Sequence, residues 1–600
     1  MKSSFKSLNK KILFILLAFT SIFITSCSRN NKNSQKINFA SYKTANPVPY
    51  DIYFEESYFD NPASEYNPHL ASASACLALA GFSSIANTDY KKTDTNIHYF
   101  FDTLGFDKYQ CNAYGISKPT PDSFGVYIAS KKINDYTLIG IGVRGAGYQS
   151  EWASNFKLGN NPDFAQGFFE ASEIYLNFLK EYINSNEING KIKIWTSGYS
   201  RGGATVNIAA GRIDDGLIKN ENILSNNVTY TKDDIYAYSF EPPAGKICKL
   251  DNNEIFEKGE NYSNIYSILN LNDVVPFVAP FNFNFIRYGN DLFLPDIITT
   301  IDYKDHINRV KNRMSKLANS NDAGEYLIDT VVDESSFKIF NSPSKYTNFS
   351  LYVYLNKFMD KLCEKIGSKE EYVDKLQYPL TELFSLLYYN STPKDSLITL
   401  AINIASKIVA VDLNQIVLFD LQNNRSKLLD DFNIIFHSAI ISLGLNLDSK
   451  DAATFIKTIL SVFVEILLSN EGFQTLRPFI NVKNIKAIGS AHIPELLLSH
   501  ITSLDDYYEG GNLSKLTSSF NKLVIKTDKN FELIINNQRY AWFNNNILES
   551  KLACIKDNDG YTIYLPADLE FKINSDDNNL NYYLYNHNNK YLNETLIKSQ

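Results

Sequence analysis

Residues 191–210 read KIKIWTSGYSRGGATVNIAA, and this stretch decides the fold. The β-branched and aromatic residues up to Trp195 predict a buried strand, and the small residues from Gly202 onward predict a closely packed helix. Between them, residues 198–202 match the pattern Gly-x-Ser-x-Gly, with Ser200 at its centre. A strand, this turn and a helix in succession are typical of a sharp elbow that lifts a serine hydroxyl clear of a sheet. The stretch therefore predicts a nucleophilic serine at position 200.

Two glycine-rich turns offer candidate donors for the oxyanion that such a serine would create. Gly198 and Gly202 relieve the crowding of the elbow, and the backbone N–H of Arg201 lies at the start of the predicted helix. Residues 141–147, IGVRGAG, end the predicted strand at 136–143, so the backbone N–H of Ala146 is the candidate second donor. A glycine-rich turn above a buried helix gives the same local pattern, so the elbow alone does not establish an enzyme.

An acid follows the elbow further along the chain. Residues 235–240 and 265–269 are apolar runs that predict two further strands, and residues 270–276, NLNDVVP, come directly after the second. Asp273 therefore lies just beyond a strand. Folds with a nucleophile elbow have the chain order serine, acid, histidine, which makes Asp273 the candidate acid.

Two of the seven histidines are candidates for the general base. His492 lies in residues 487–496, AIGSAHIPEL, where a loop of small residues precedes Pro494 at a predicted first helical turn. His306 also follows Asp273 and is the competing candidate. Of the other five, His69 and His98 precede Ser200 in the chain. We expect His437 and His500 to be structural and His587 to lie at the surface.

These segments together resemble the class 3 lipase family, the fungal lipase-like α/β-hydrolases. Residues 272–276, NDVVP, are similar to the family's Asn-Asp-x-Val-Pro segment, which carries the catalytic acid, and residues 143–145 are similar to its Arg-Gly strand end at the oxyanion site. The GYSRG elbow, the EWASN segment at 151–155 and the HIPEL segment at 492–496 are closer to bacterial lipase-like relatives. The resemblance covers about residues 50–280 and reappears near His492.

The resemblance implies an α/β fold with a mostly parallel central sheet, and ester hydrolysis by Ser200, Asp273 and His492. Three positions depart from the fungal pattern. Tyr199 and Arg201 flank the serine where the fungal enzymes usually have His and Leu, and Ala146 stands where they commonly have Ser or Thr. Because alanine offers only its backbone N–H, the departures weigh more against triacylglycerol lipase activity than against hydrolase chemistry.

The N-terminus has the features of a bacterial lipoprotein signal. Lysines precede an apolar run at residues 12–24, which is shorter than the about 20 residues that a membrane-spanning helix needs. The run ends in ITSC, which resembles a lipobox with Cys27 as the lipidated residue; a plain secretory signal with a chance cysteine is the alternative. Residues 1–27 are the predicted signal and 28–48 a polar tether, so we expect a membrane-anchored protein of the bacterial cell envelope.

The rest of the chain divides into four predicted segments. Alternating strand and helix patterns predict the hydrolase core at 49–305, and helix-spaced apolar residues predict a helical insertion or cap at 306–480. Residues 481–512 return to the core with His492, and short strand patterns predict a small C-terminal β domain at 513–600. The cysteines other than Cys27 lack metal-binding spacing, and neither a metal nor a cofactor is predicted.

Three hypotheses about function follow. A net charge of -8 disfavours a nucleic-acid partner. The first hypothesis is a surface-anchored serine hydrolase that cleaves carboxylic esters, lipid or acyl esters, through an acyl-enzyme. The second is an amidase or peptidase on the same fold, because a triad does not separate these reactions. The third is a non-catalytic binding lipoprotein with a degenerate site.

Overall fold

The computed structural model describes most of the chain outside its N-terminus and its middle. The described residues are 34–40, 47–82, 90–112, 122–145, 151–155, 157–248, 261–279, 283–317, 327, 344–346, 350–368, 371, 487, 491–511, 516–544, 547–557, 560–577, 579–587 and 591–598. The predicted signal at 1–27, most of the predicted helical segment at 306–480, and the residues Cys27, Ala146 and His437 lie outside these ranges.

Strands and helices alternate through the first half of the described chain. The strands are β1 (Ser34–Ala40), β2 (Pro47–Tyr53), β3 (Asp107–Asn112), β4 (Val126–Ile133), β5 (Tyr136–Val143), β6 (Gly190–Tyr199), β7 (Val228–Thr229), β8 (Ile235–Phe240), β9 (Lys246–Ile247), β10 (Ile265–Leu269), β11 (Phe285–Ile286) and β12 (Asn290–Phe293). The described helices are α1 (Pro68–Leu79), α2 (Tyr90–Thr103), α3 (Trp152–Asn155), α4 (Gln166–Ser185), α5 (Arg201–Ile218), α6 (Tyr303–Leu317), α7 (Leu351–Ile366) and α8 (Pro494–Thr502).

The central sheet has eight strands and is mixed. Its order is β12-β10-β8-β6-β5-β4-β3, and β7 pairs with the start of β6. Neighbours from β12 to β5 run parallel, whereas β4 and β3 extend the sheet antiparallel at one edge. The carboxyl ends of β5, β6, β8 and β10 therefore meet along one edge, which is where open α/β sheets place their functional groups.

Strand β6 is buried on both faces because helices cover each side of the sheet. Ile192 and Ile194 contact the cluster that includes α4 and α5, whereas Trp195 and Tyr199 contact the cluster that includes α1 and α8. A strand alternates its side chains between the two faces, and burial of both faces accounts for the near-continuous apolar run in the sequence. The two covering layers fix the position of the turn that follows β6.

The C-terminal part forms two five-stranded sheets that pack together. Their strands are β13 (Ser344–Tyr346), β14 (Phe520–Lys526), β15 (Phe531–Ile535), β16 (Gln538–Asn544), β17 (Ile547–Ser550), β18 (Cys554–Asp557), β19 (Gly560–Pro566), β20 (Phe571–Ser575), β21 (Asn579–Asn586) and β22 (Tyr591–Lys598). The orders are β13-β17-β16-β15-β20 and β18-β19-β14-β21-β22. Alternate residues of β14 and β15, such as Leu523 and Leu533, share one buried cluster between the sheets.

Strand β13 lies within residues 306–480, which we expected to form a helical insertion, yet it is extended and pairs in parallel with β17 of the C-terminal part. A second difference from expectation concerns His587, which we expected at the surface. Its ring lies 5.2 Å from that of Phe293 and 5.6 Å from that of Phe520, between the central sheet and β14. Local sequence rich in asparagine predicts exposure, but the strand β21 carries its end onto the central sheet.

Two properties of the chain follow from the described residues alone. None of the five cysteines outside the N-terminal segment forms a disulfide. Within the described ranges, no helix combines the length and the apolar composition that crossing a membrane requires.

Candidate active site

Ser200 occupies a strained turn between β6 and α5. Its backbone has φ 57° and ψ -125°, a conformation that costs a non-glycine residue on the order of 1–3 kcal/mol. Two backbone hydrogen bonds hold the turn: Ser200 N–H donates to the carbonyl of Phe240 (2.8 Å), and Ala204 N–H donates to the carbonyl of Ser200 (3.0 Å). The strained serine is thus tied both to the end of β8 and to the first turn of α5.

The glycines of the elbow are required by close backbone approaches. A Cβ atom on Gly198 would lie 2.3 Å from the carbonyl oxygen of Gly202. A Cβ atom on Gly202 would lie 2.4 Å from the carbonyl oxygen of Val143, at the end of β5. Since neither approach leaves room for a side chain, the Gly-x-Ser-x-Gly pattern follows from how tightly the elbow packs on the sheet.

The structure brings Ser200, His492 and Asp273 into one hydrogen-bonded chain. His492 Nε2 lies 2.8 Å from Ser200 Oγ, and His492 Nδ1 lies 2.5 Å from Asp273 Oδ2. All three side chains are buried. This order of hydroxyl, imidazole and carboxylate is the arrangement in which a histidine takes a serine proton while an acid orients its ring.

The loop after β10 presents Asp273 to the imidazole. Asp273 Oδ1 accepts a hydrogen bond from Val275 N–H (2.9 Å), which leaves Oδ2 to His492. The neighbouring Asn272 donates to Asp296 (2.6 Å) and accepts from Leu351 N–H (3.1 Å). The amide of Asn272 thereby fastens the acid loop to the start of α7.

Tyr199 positions His492 from the other side. Its hydroxyl donates to the backbone carbonyl of His492, and the two rings stack with their centroids 4.9 Å apart and an interplanar angle of 21°. Pro494 then begins α8 two residues after the histidine. From the sequence we interpreted Tyr199 only as a departure from the fungal pattern, and we missed its role in positioning His492. An aromatic hydroxyl next to the nucleophile was the available signal.

A second carboxylate, Glu241, lies beside the same imidazole. Glu241 follows β8 directly, and its Oε2 is 3.2 Å from His492 Nδ1. Its side chain is fully buried. Asp273 is the closer of the two acids, with its Oδ2 2.5 Å from Nδ1. Sequence reasoning missed Glu241 too, although an acid at the end of a buried strand next to the elbow strand was a usable signal.

The two acids set the proton affinity of the site. Burial alone lowers the pKa of His492, but the charge of Asp273 and its hydrogen bond, with a further contribution from Glu241, raise it to about 9. Burial and the neighbouring charge of Asp273 raise the pKa of Glu241 to about 8. A base with a raised pKa is a stronger proton acceptor, but it is neutral only at higher pH.

The competing histidine, His306, lies elsewhere. Its Nε2 is 3.0 Å from His500 Nδ1, and both rings are buried between α6 and α8. Burial, followed by the proximity of His500, lowers the pKa of His306 well below its usual range. This pair joins two helices and does not contact Ser200.

The two predicted oxyanion donors differ in what the structure describes. Arg201 is the first residue of α5, where backbone N–H groups have no intrahelical acceptor, and its buried side chain donates to the carbonyl of Ser123 (2.6 Å). Ala146 lies outside the described residues, one position beyond Gly145. Near that turn, Arg144 is buried and forms an ion pair with Glu151 (2.9 Å).

Among the described residues, two groups of acid and histidine side chains have ligand atoms within 4.8 Å of one another. The first is Glu241, Asp273 and His492, in which both ring nitrogens are already engaged, by Ser200 and by Asp273. The second combines His69 with Asp505 and Asp506 near the surface. His69 Nδ1 lies 2.7 Å from Asp505, a contact that ties α1 to the segment after α8.

Comparison with known proteins gives distant structural likenesses. No protein-family model matches the chain, and no curated protein sequence matches it. The Rhizomucor miehei lipase in its propeptide complex is similar over 38% of this chain and 67% of its own, at 16% identity and a TM-score of 0.25. Lipase II from Rhizopus niveus is similar over 37% of this chain and 80% of its own, at 15% identity and a TM-score of 0.25. The M37 lipase is similar over 36% of this chain and 71% of its own, at 18% identity and a TM-score of 0.27. We draw no functional conclusion from likenesses at this level.

The described core itself defines a class of fold. A mixed sheet with parallel central strands carries a serine on a strand-to-helix elbow, and an acid and a histidine follow in that chain order. This is an α/β-hydrolase-like arrangement.

Proposed function

We propose that this protein is a serine hydrolase that cleaves carboxylic esters through an acyl-enzyme. The supporting observation is the buried, hydrogen-bonded chain from Ser200 through His492 to Asp273, built on a strained elbow. A serine hydroxyl is a weak nucleophile unless a base is within hydrogen-bonding reach, and the 2.8 Å contact supplies one.

The proposed reaction has two steps. His492 Nε2 accepts the Ser200 proton as Oγ attacks the ester carbonyl, and it then donates that proton to the leaving alcohol. Water, activated by the same imidazole, releases the acid from the acyl-enzyme. Asp273 keeps Nδ1 protonated and so leaves Nε2 free to accept. The Ala146 and Arg201 N–H groups are the proposed oxyanion donors.

Lipid or acyl esters are the proposed substrates. The support is the resemblance of the elbow, the NDVVP segment and the HIPEL segment to lipase-like sequences. Amide and peptide hydrolysis is the alternative, since the same triad serves both reactions. We also propose that Cys27 anchors the protein to the membrane of a bacterial cell envelope, on the support of the ITSC segment after the apolar run.

A fluorophosphonate probe and a substrate series test this proposal. The wild-type protein should be labelled and should hydrolyse chromogenic esters of increasing acyl length, run beside peptide substrates. Ser200→Ala should abolish labelling and lower kcat by about a million-fold, as removal of a triad serine does in a protease.

Ser197→Ala is the matched control. This buried serine lies on the same strand, and its hydroxyl donates to the carbonyl of Ser74 (2.7 Å). We expect it to be labelled like the wild type. A wild-type protein that neither reacts with the probe nor turns over any ester would favour the binding-protein hypothesis, and turnover of peptides alone would favour the amidase.

A further inference from the structure

The proposed mechanism assigns no role to Glu241, although the burial and the backbone conformation of this residue are both unfavourable for folding. The residue is fully buried and adopts φ 49°, a left-handed conformation that is unfavourable for a residue with a side chain. Its backbone N–H donates to the carbonyl of Ile268 (2.8 Å), which fixes it between β8 and β10. Neither carboxyl oxygen makes a hydrogen bond of good geometry to the described residues.

A buried carboxyl group without such bonds is destabilising, so a structural role alone does not account for it. Its Oε2 lies 3.2 Å from His492 Nδ1, only slightly further than Asp273 Oδ2 at 2.5 Å. Two carboxyl groups from the ends of adjacent strands therefore face one imidazole nitrogen.

We propose that Glu241 is a second acid of the site, a positioning residue that shares His492 Nδ1 with Asp273 and replaces Asp273 as its acceptor when that carboxylate is removed. The proposal rests on the proposed hydrolase function, because it assigns Glu241 a role in orienting the base. It differs from a structural role in requiring a carboxyl group at position 241.

The proton inventory follows from the charges that face Glu241. In the wild-type site Asp273 accepts the Nδ1–H, and its charge, added to burial, raises the pKa of Glu241 to about 8. Glu241 is therefore protonated at neutral pH and charged near pH 9, where His492 titrates. When Asp273 is replaced by asparagine, that charge is gone and Glu241 releases its proton to solvent. The resulting carboxylate then accepts the Nδ1–H and maintains the tautomer in which Nε2 accepts the serine proton.

Few other charges act on Glu241. The titratable groups of the described residues that face it are Asp273, from the loop after β10, and His492, from the segment before α8. Arg287 contacts the adjacent loops by donating to the carbonyls of Pro242 (2.8 Å) and Pro276, and its guanidinium is paired with Asp291 (2.9 Å).

Single and double variants of the full chain test the proposal. Replacement of the triad acid by asparagine normally lowers kcat by about 10⁴-fold, because the ring takes the wrong tautomer. We expect Asp273→Asn here to lose about 10²-fold or less, and Asp273→Asn with Glu241→Gln to lose the full, about 10⁴-fold. Glu241→Gln alone should change kcat by about tenfold or less, leave KM unchanged and move the acidic limb of the pH profile of kcat/KM to lower pH.

Asp214→Asn is the matched control. Asp214 is a buried acid on α5, about 20 Å along the helix from Ser200, and burial raises its pKa to about 8. We expect this variant to leave the effect of Asp273→Asn unchanged. Melting temperatures verify that each variant is folded.

The low-field proton resonance of His492 Nδ1–H gives a readout that does not depend on activity. It should persist in Asp273→Asn and disappear in the double variant. If the double variant matches Asp273→Asn in both kcat and this resonance, Glu241 is not a second acid. Should Asp273→Asn fail to fold, an unchanged pH profile in Glu241→Gln would overturn the proposal. Absence of ester turnover and of probe labelling in the wild type would instead contradict the proposed function.

Discussion

At the scale of single residues, the molecule places two buried histidines in opposite environments. His492 lies against carboxyl groups, which favour its protonated form, whereas His306 lies against His500, which disfavours protonation. Only the first environment suits a base that must accept a proton from Ser200 during the reaction. The distinction arises from neighbours that are distant in sequence.

This difference predicts unequal effects of two alanine substitutions. His492→Ala should lower kcat about as much as Ser200→Ala, because it removes the only base in contact with the hydroxyl among the described residues. His306→Ala should leave kcat within about tenfold of the wild type and lower the melting temperature instead, since it opens a cavity between α6 and α8. Steady-state kinetics and thermal unfolding measure both effects. The reverse ranking of kcat would identify His306 as the base.

The raised pKa of His492 predicts an alkaline activity profile. The base must be neutral to accept a proton, so kcat/KM should be low at acid pH and should rise until the pH passes about 9. A histidine with an ordinary pKa would instead give the rise in kcat/KM at about pH 6.5. Rates measured with a chromogenic ester, corrected by the rates of Ser200→Ala, test this. A plateau reached by neutral pH would show that the two acids do not raise the pKa of His492.

At the scale of elements, the elbow and its neighbouring turns depend on contacts between strand ends. Val143 at the end of β5 lies against Gly202, and the next residue, Arg144, is buried in an ion pair with Glu151 just before α3. The turn that contains Ala146 lies between these two charged residues in the sequence. The ion pair therefore connects both sides of the proposed oxyanion turn.

Removing one partner of this pair should be costly. Glu151→Ala removes the carboxylate that pairs with the buried guanidinium of Arg144. Breaking a buried ion pair in this way lowers the free energy of unfolding by about 3–5 kcal/mol. Glu532→Ala is the control, because its partner Arg539 is half-exposed on the β domain and such pairs contribute about 1 kcal/mol or less. Urea unfolding measures both. Equal stabilities of the two variants would contradict a structural role for the buried pair.

At the scale of the whole molecule, the C-terminal sheets share one buried cluster with the end of β10, the strand that precedes Asp273. Phe520 of β14 packs on Phe293 of β12, with ring centroids 5.5 Å apart, and the same cluster includes Leu269 and Leu271 around the end of β10. The segment that carries His492 is held in turn by α8, which packs on α1 and α6. Distant parts of the chain therefore converge on the loop that presents Asp273.

The proposed anchor belongs to this scale because it determines where the whole molecule lies. Cys27→Ser should move the protein from the membrane fraction to the soluble fraction and abolish metabolic labelling with palmitate. The reason is that the proposed acyl chains, several of which are needed for firm attachment, are carried by this cysteine. Ser26→Ala, which retains the cysteine and a small residue before it, is the control. Palmitate labelling that persists in Cys27→Ser would contradict attachment at this position.

The sequence by itself determined the elements around the elbow. Strands β5, β8 and β10 have the predicted bounds, because runs of β-branched and aromatic residues buried on both faces admit few alternatives. The glycines at 198 and 202 and the proline at 494 are likewise local requirements of a tight turn and a helix start, so their positions were readable without a structure.

Only the tertiary structure decided which side chains meet. Chain order and loop composition left His492 and His306 as the candidate bases, but Ser200 and His492 are 292 positions apart in the sequence, and no local signal indicates their contact. Glu241 and Tyr199 were missed for the same reason, since an acid at a strand end or a tyrosine in a turn acquires its role only from the imidazole packed against it. Propensity and periodicity act over neighbouring residues, whereas the site is assembled from the ends of separate strands and a distant loop.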